Sequence, residues 1–185
     1  MNRRHTSIVT GLLLMLAAHP AHATNSFFWG LKLQLLSPGF EGAPSLPALG
    51  LQGGYRWESD HFQSRIQVQV LGGWSTLQIE DTPALTAGGL SGALTGRLAF
   101  GGFKDDSAGY AFIDPGLFAL LGSNPERGTS SLMELGAELG VGRKFKLPDS
   151  THLDLSLTVL HFHLDPRTAK LRASFYPGLA VAFMR

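Results

Sequence analysis

Residues 132–147, LMELGAELGVGRKFKL, place two different chemistries on alternate positions. Met133, Leu135, Ala137, Leu139 and Val141 fall on one parity. Glu134, Gly136, Glu138, Gly140, Gly142 and Lys144 fall on the other. Residues 171–184 repeat the arrangement, with Leu171, Ala173, Phe175, Leu179, Val181 and Phe183 set against Arg172, Ser174, Tyr176, Gly178, Ala180 and Ala182. A period of two belongs to β-strands with one apolar face. The second face, made of glycines, small residues and isolated charges, suits the narrow interior of a small barrel more than a sheet facing water.

The same alternation recurs along the chain and predicts eight strands: 26–36, 48–59, 62–76, 88–100, 108–121, 132–146, 152–164 and 170–184. Their lengths bracket the ~9–11 residues a tilted strand needs to cross hydrocarbon. Turn chemistry separates them: Ser37-Pro38-Gly39 continuing to Pro47, Asp60-His61, Asp81-Thr82-Pro83, Asp105-Asp106-Ser107, Ser123-Asn124-Pro125, Pro148-Asp149-Ser150 and Asp165-Pro166-Arg167. Short connections require antiparallel neighbours, so the simplest path is an up-and-down meander. The paired glycines Gly53-Gly54, Gly72-Gly73, Gly88-Gly89 and Gly101-Gly102 are read as bends and bulges that help a small barrel close.

The first residues carry Arg3 and Arg4, an apolar run from Ile8 to Ala18, and Ala21-His22-Ala23. That is the pattern of a secretory signal peptide with an A-x-A cleavage site, too short to be a spanning helix. The expected organisation is therefore a signal peptide over 1–23 and one domain over 24–185. Loss of Arg3 and Arg4 would take Lys and Arg from 15 to 13, against 14 Asp and Glu. Such a nearly neutral chain has no basic stripe for nucleic acid. With no cysteine there is no disulfide, thiol nucleophile or thiolate metal site.

Alternation alone does not say which face is inside. A soluble barrel binding a lipophilic ligand points the apolar face inward; a membrane barrel points it outward. Three features favour the membrane. The polar face is sparse and small, and its charges nearly balance: Lys32, Arg56, Arg65, Arg97 and Arg172 against Asp114, Glu134, Glu138 and Asp154. Balance is what an enclosed interior requires, because buried charges must be paired. Third, aromatics gather at strand ends. Trp29, Trp57, Phe62, Phe100, Phe145 and Phe183 fall toward one rim, Trp74 and Phe175 toward the other, as in an aromatic girdle. The predicted fold class is all-β, an eight-stranded antiparallel up-and-down transmembrane β-barrel.

On the signal sequence, strand number, alternation and the final strand LRASFYPGLAVAFMR, the chain resembles the small outer-membrane β-barrel superfamily of Gram-negative bacteria, the OmpA/OmpX-like eight-stranded barrels. The resemblance is architectural and spans 24–185. It implies a monomer in the cell outer membrane, in contact with outer-membrane lipids and lipopolysaccharide, and inserted by the barrel-assembly machinery. That machinery recognises a terminal aromatic; here Phe183 is followed by Met184-Arg185.

Candidate chemistry is confined to His161-Phe162-His163-Leu164-Asp165. Counted by parity from Leu153 to Val159, His161 and His163 face outward near the headgroups. Lipid A deacylases of the PagL-like family use an outward His, Ser and acidic residue with a His-x-Ser motif. This chain has His163 and Asp165 where that spacing needs serine, and no sequence matching the PagP-like acyltransferases. His161, His163 and Asp165 are thus weak catalytic candidates. A His-x-His pair on one strand face offers two metal ligands, but a third would have to come from a neighbouring strand, and no metal or cofactor is assigned. Glu134 and Glu138, about 13 Å apart at ~3.3 Å per residue, read as interior ion-pair partners and not as a catalytic pair. The expected role is that of a structural or interaction protein with a closed polar interior. The alternatives are a lipid-modifying hydrolase and a periplasmic soluble barrel with a lipophilic ligand.

Overall fold

The computed structural model describes residues 24–36, 46–77, 85–104, 107–124, 128–149, 151–164 and 171–184. Residues 1–23, where a signal peptide is expected, Asp165 and most of the 37–47 connection lie outside the described residues. Eight strands run β1 (Thr24–Leu36), β2 (Leu46–Glu58), β3 (Phe62–Leu77), β4 (Leu85–Gly101), β5 (Ser107–Asn124), β6 (Gly128–Lys146), β7 (His152–Leu164) and β8 (Leu171–Met184). Each overlaps a predicted strand, and the differences lie at the ends. All neighbours are antiparallel in chain order, and β1 pairs with β8 to close the barrel.

The faces resolve the ambiguity left by the sequence. Every strand places large apolar side chains on the outer wall, among them Leu31, Leu51, Val70, Leu94, Leu117, Val141, Leu157 and Leu179. The buried residues are largely polar: Lys32, Arg56, Glu58, Arg65, Gln67, Gln69, Arg97, Asp114, Glu138, Lys144 and Asp154 are all under a tenth exposed. This is the polarity of a water-soluble barrel turned inside out. A lumen of this composition also removes the reading of a soluble barrel with a lipophilic ligand.

One end of the barrel, called lower here, carries the β2–β3, β4–β5 and β6–β7 connections. Ser59 N donates to Phe62 O at 2.8 Å, and Leu147 N to Thr151 O at 2.7 Å. The chain just after β4 folds under the lumen as far as Phe103. Phe103 N donates to Asp60 O at 2.7 Å and Gly101 N to His61 O at 3.1 Å, which brings Phe103 into the lower mouth, where it packs with Ala99, Ala108, Tyr110 and Phe112.

The glycine pairs do not coincide with bulges, because the β3–β4 register runs unbroken through Gly72, Gly73, Gly88 and Gly89. Their contribution is space. At Gly54 and Gly73 a Cβ would collide with the backbone of the neighbouring strand, a close approach that lets a small sheet coil tightly. The register shift lies elsewhere, on β7, between Thr158 and Leu160.

Candidate functional site

The lumen is built in layers from inward parities of all eight strands. Lowest, Glu58 accepts from Lys144 Nζ at 2.5 Å, Arg56 Nη1 at 2.8 Å and Gln63 Nε2 at 2.6 Å. Lys144 also donates to the carbonyl of Phe103 at 2.9 Å. Above it, Arg65 pairs with Asp154, which also accepts from the Tyr110 hydroxyl. In the same region Arg97 grips Asp114 with two parallel bonds of 2.7 Å and lies 3.6 Å over the Phe112 ring. Bidentate guanidinium–carboxylate pairing is among the strongest polar contacts available to a buried charge. Higher still, Lys32 donates to Glu138 at 2.6 Å and to Gln69 at 2.8 Å, and Gln34 donates to Glu138 at 2.8 Å.

Three of these ion pairs cross the lumen. Lys32 on β1 reaches β6, Arg65 on β3 reaches β7, and Lys144 on β6 reaches β2. Ring-bearing side chains fill the remaining space over glycines of β6. Tyr110 lies opposite Gly142 and Phe112 opposite Gly140, and a Cβ at either glycine would run into the ring. The small residues on the polar parity are therefore the counter-shape of the aromatic ones.

The uppermost layer differs from its expected form. Leu157 faces out, Val159 is the extra residue of the bulge, and Leu160 pairs with outward Leu139. The parity of β7 is thereby reversed above the bulge. His161, expected on the outer wall, turns into the lumen, is 8% exposed and pairs with Glu138 in register. Its Nε2 lies 3.0 Å from Glu134 Oε1, and its ring meets Phe118 edge-on at 4.7 Å. His163 follows, with its ring 6.2 Å from that of His161.

The other expected residues fall as follows. Arg172 sits opposite His163 on β8 and is exposed at the upper rim. Trp29 packs on Phe183 at 5.3 Å and Phe62 on Phe100 at 5.2 Å, all on the lower outer wall. Trp57 meets Tyr55 at 4.9 Å, and Arg143 lies 5.2 Å over the Phe145 ring. Trp74 and Phe175 are 78% and 71% exposed toward the other end. Phe27, 4.8 Å from Tyr55, joins the lower ring unanticipated, although it shares the parity of Trp29. Glu58 and Lys144 were absent from the expected charge network. Both lie on inward parity at a strand end, where a turn residue and a lumen residue read alike.

No family model and no curated protein matches the chain. Among solved structures, Neisserial surface protein A superposes with a TM-score of 0.55 at 10% identity, covering 88% of this chain and 97% of that one. The attachment invasion locus protein Ail of Yersinia pestis gives 0.49 at 13% identity over 86% and 94%. What is shared is the fold. It is the all-β, eight-stranded antiparallel barrel found in small outer-membrane proteins.

Proposed function

We propose that this chain is an integral outer-membrane β-barrel that serves as a structural or interaction protein and not as a pore. One observation carries the reading: a continuous apolar outer wall contributed by all eight strands surrounds a lumen of paired charges. The largest apolar patch on a soluble monomer is about 300–600 Å². A belt that encircles the whole barrel needs a cover that also encircles it, and lipid is that cover. The aromatic rings at 5.3 and 5.2 Å on the lower wall fit the interfacial girdle. The lumen-crossing ion pairs and Phe103 in the lower mouth place side chains across the interior, which supports a closed barrel over a pore.

The inward turn of the β7 histidine disfavours a lipid-modifying hydrolase. Its proposed histidine, His161, faces the lumen and not the acyl chains. The test is fractionation followed by planar-bilayer recording. The protein should partition with outer membranes, require detergent for extraction and give no steady conductance. Recovery in the soluble periplasmic fraction would overturn membrane insertion; a large stable conductance from the monomer would overturn the closed lumen.

A further inference from the structure

Above the Lys32–Glu138 layer the fold assembles three side chains that separately mean little. Glu134 of β6 and His161 and His163 of β7 each present one donor atom, and the three atoms lie within 4.8 Å of one another. The assembly depends on the β7 bulge. Were Val159 taken into a regular ladder with no bulge, both imidazoles would point to the outer wall while Glu134 stayed inside. The neighbours then fix the nearer imidazole. Gly136 leaves the space that the His161 ring occupies: a Cβ there would stand 3.3 Å from Nε2. Phe118 holds the ring edge-on at 4.7 Å. Glu138, one layer down, is already engaged by Lys32 and Gln34, so Glu134 is the carboxylate free of a lysine or arginine among the described ion pairs of this layer.

We propose that Glu134, His161 and His163 form a binding site for one borderline divalent transition-metal ion of the Zn²⁺ class in the upper lumen. Two imidazole nitrogens and one carboxylate oxygen make a donor set that suits such ions. Mg²⁺ and Ca²⁺ instead require shells of oxygen. Metal–ligand bonds of about 2.0–2.2 Å put tetrahedral donor atoms about 3.4 Å apart. Glu134 and His161 are at 3.0 Å. The widest pair must close by about 1.4 Å, within reach of one side-chain torsion on the half-buried His163 or Glu134. Water supplies the remaining position, since the site faces the upper mouth. Among the described residues, opposing charge comes from Lys32, held by Glu138 one layer down, and from Arg172, opposite His163 in register and exposed at the rim. The inference concerns the lumen alone and does not depend on what surrounds the outer wall.

The test is calorimetric titration of ZnCl₂ into the untagged full chain folded in detergent, beside His163→Ala, Glu134→Ala and His61→Ala. His61 lies at the opposite end of the barrel. The N-terminal His5, His19 and His22 are common to all four proteins, so the reading is the equivalent that differs. Loss of an outer-sphere partner typically weakens metal binding about 10–100-fold; loss of a direct ligand should cost at least as much. One equivalent should be present in the parent and in His61→Ala, and absent in the other two. Zn²⁺ should also raise the unfolding temperature of the parent and not of His163→Ala. Heat-modified gel migration establishes that each variant is folded, and His163, half-buried at the mouth, is the variant least exposed to misfolding. Identical isotherms for parent and His163→Ala, no saturable binding in the parent, or equal occupancy by CaCl₂ would each overturn the proposal.

Discussion

The two halves of β7 obey opposite rules. Below the bulge, Asp154, Ser156 and Thr158 face inward and Leu153, Leu155 and Leu157 face outward. Above it, His161 faces inward, and Leu160 pairs with outward Leu139 and Phe175. The lower half contributes to a lumen where each buried carboxylate meets a lysine or arginine. The upper half contributes imidazoles and a half-buried Glu134. A single inserted residue divides a region organised for stability from one organised to present ligands. This is the re-aiming of side chains that bulges perform near barrel rims.

The largest expected effect sits in the lower half. Asp154 holds Arg65 and the Tyr110 hydroxyl, with almost no access to water. Asp154→Ala leaves a guanidinium buried without its carboxylate, a loss of about 3–5 kcal/mol. Urea titration of the folded barrel in detergent should show it as a large fall in midpoint. A fall no greater than that of Glu134→Ala would erase the distinction between the halves.

The outer wall comes next. Leu157, 44% exposed just below the bulge, is set to face hydrocarbon. Leu157→Arg should cost about 2–4 kcal/mol near the bilayer midplane, read as a reduced folded fraction on insertion into lipid vesicles. In detergent-free buffer the parent should aggregate. Unchanged insertion of the variant would place that parity away from lipid.

A third effect tests the ring-over-glycine packing that fills the lower lumen. Gly142→Ala adds a methyl where the Tyr110 ring lies, and overpacking of this kind costs about 1–3 kcal/mol. Tyr110→Phe in the same chain keeps the ring and so should not relieve it, whereas Tyr110→Ala should remove the clash. The cycle is read from urea midpoints, and additive effects would show that the glycine is not there for the ring.

The strand count, the closure and the choice of faces were legible because they rest on a period of two repeated in every strand. The mid-lumen pairs Lys32–Glu138, Arg65–Asp154 and Arg97–Asp114 came from charges on the inward parity, though parity alone could not say which cation meets which carboxylate. That depends on what lies across the lumen, which no local pattern encodes. The inward turn of His161 was missed because parity was carried through Val159. Two signals mark the break. Val159 and Leu160 are adjacent apolar residues, after which Leu160, Phe162 and Leu164 continue on the other parity. Across the ladder, β8 carries Pro177 at the interruption, between the Thr158–Gly178 and Leu160–Phe175 pairs. A proline inside a strand has no N–H to donate and is confined to edges and bulges. Arg172 was placed inside by the same parity argument. It lies so close to the upper rim that its long side chain can reach solvent from an inward position.

The smallest stability effect belongs to the upper half, and it separates a structural ion pair from a ligand site. Glu134 contacts His161 at 3.0 Å but is half-buried beside the mouth, where water can replace the partner it loses. A hydrogen bond of this kind is worth about 0.5–1.5 kcal/mol net, so Glu134→Ala in chelator-treated buffer should lower the urea midpoint only slightly. Glu138→Ala, four residues along the same strand, strips Lys32 of its carboxylate in a fully enclosed layer and should approach the loss seen for Asp154→Ala. The two variants differ in depth and partner but not in residue type, strand or face. If Glu134→Ala is as damaging as Glu138→Ala without metal, the upper cluster is another structural layer. If it is mild without metal and removes the stabilisation by Zn²⁺, the bulge has moved two histidines from the outer wall into a site that the barrel does not need in order to fold.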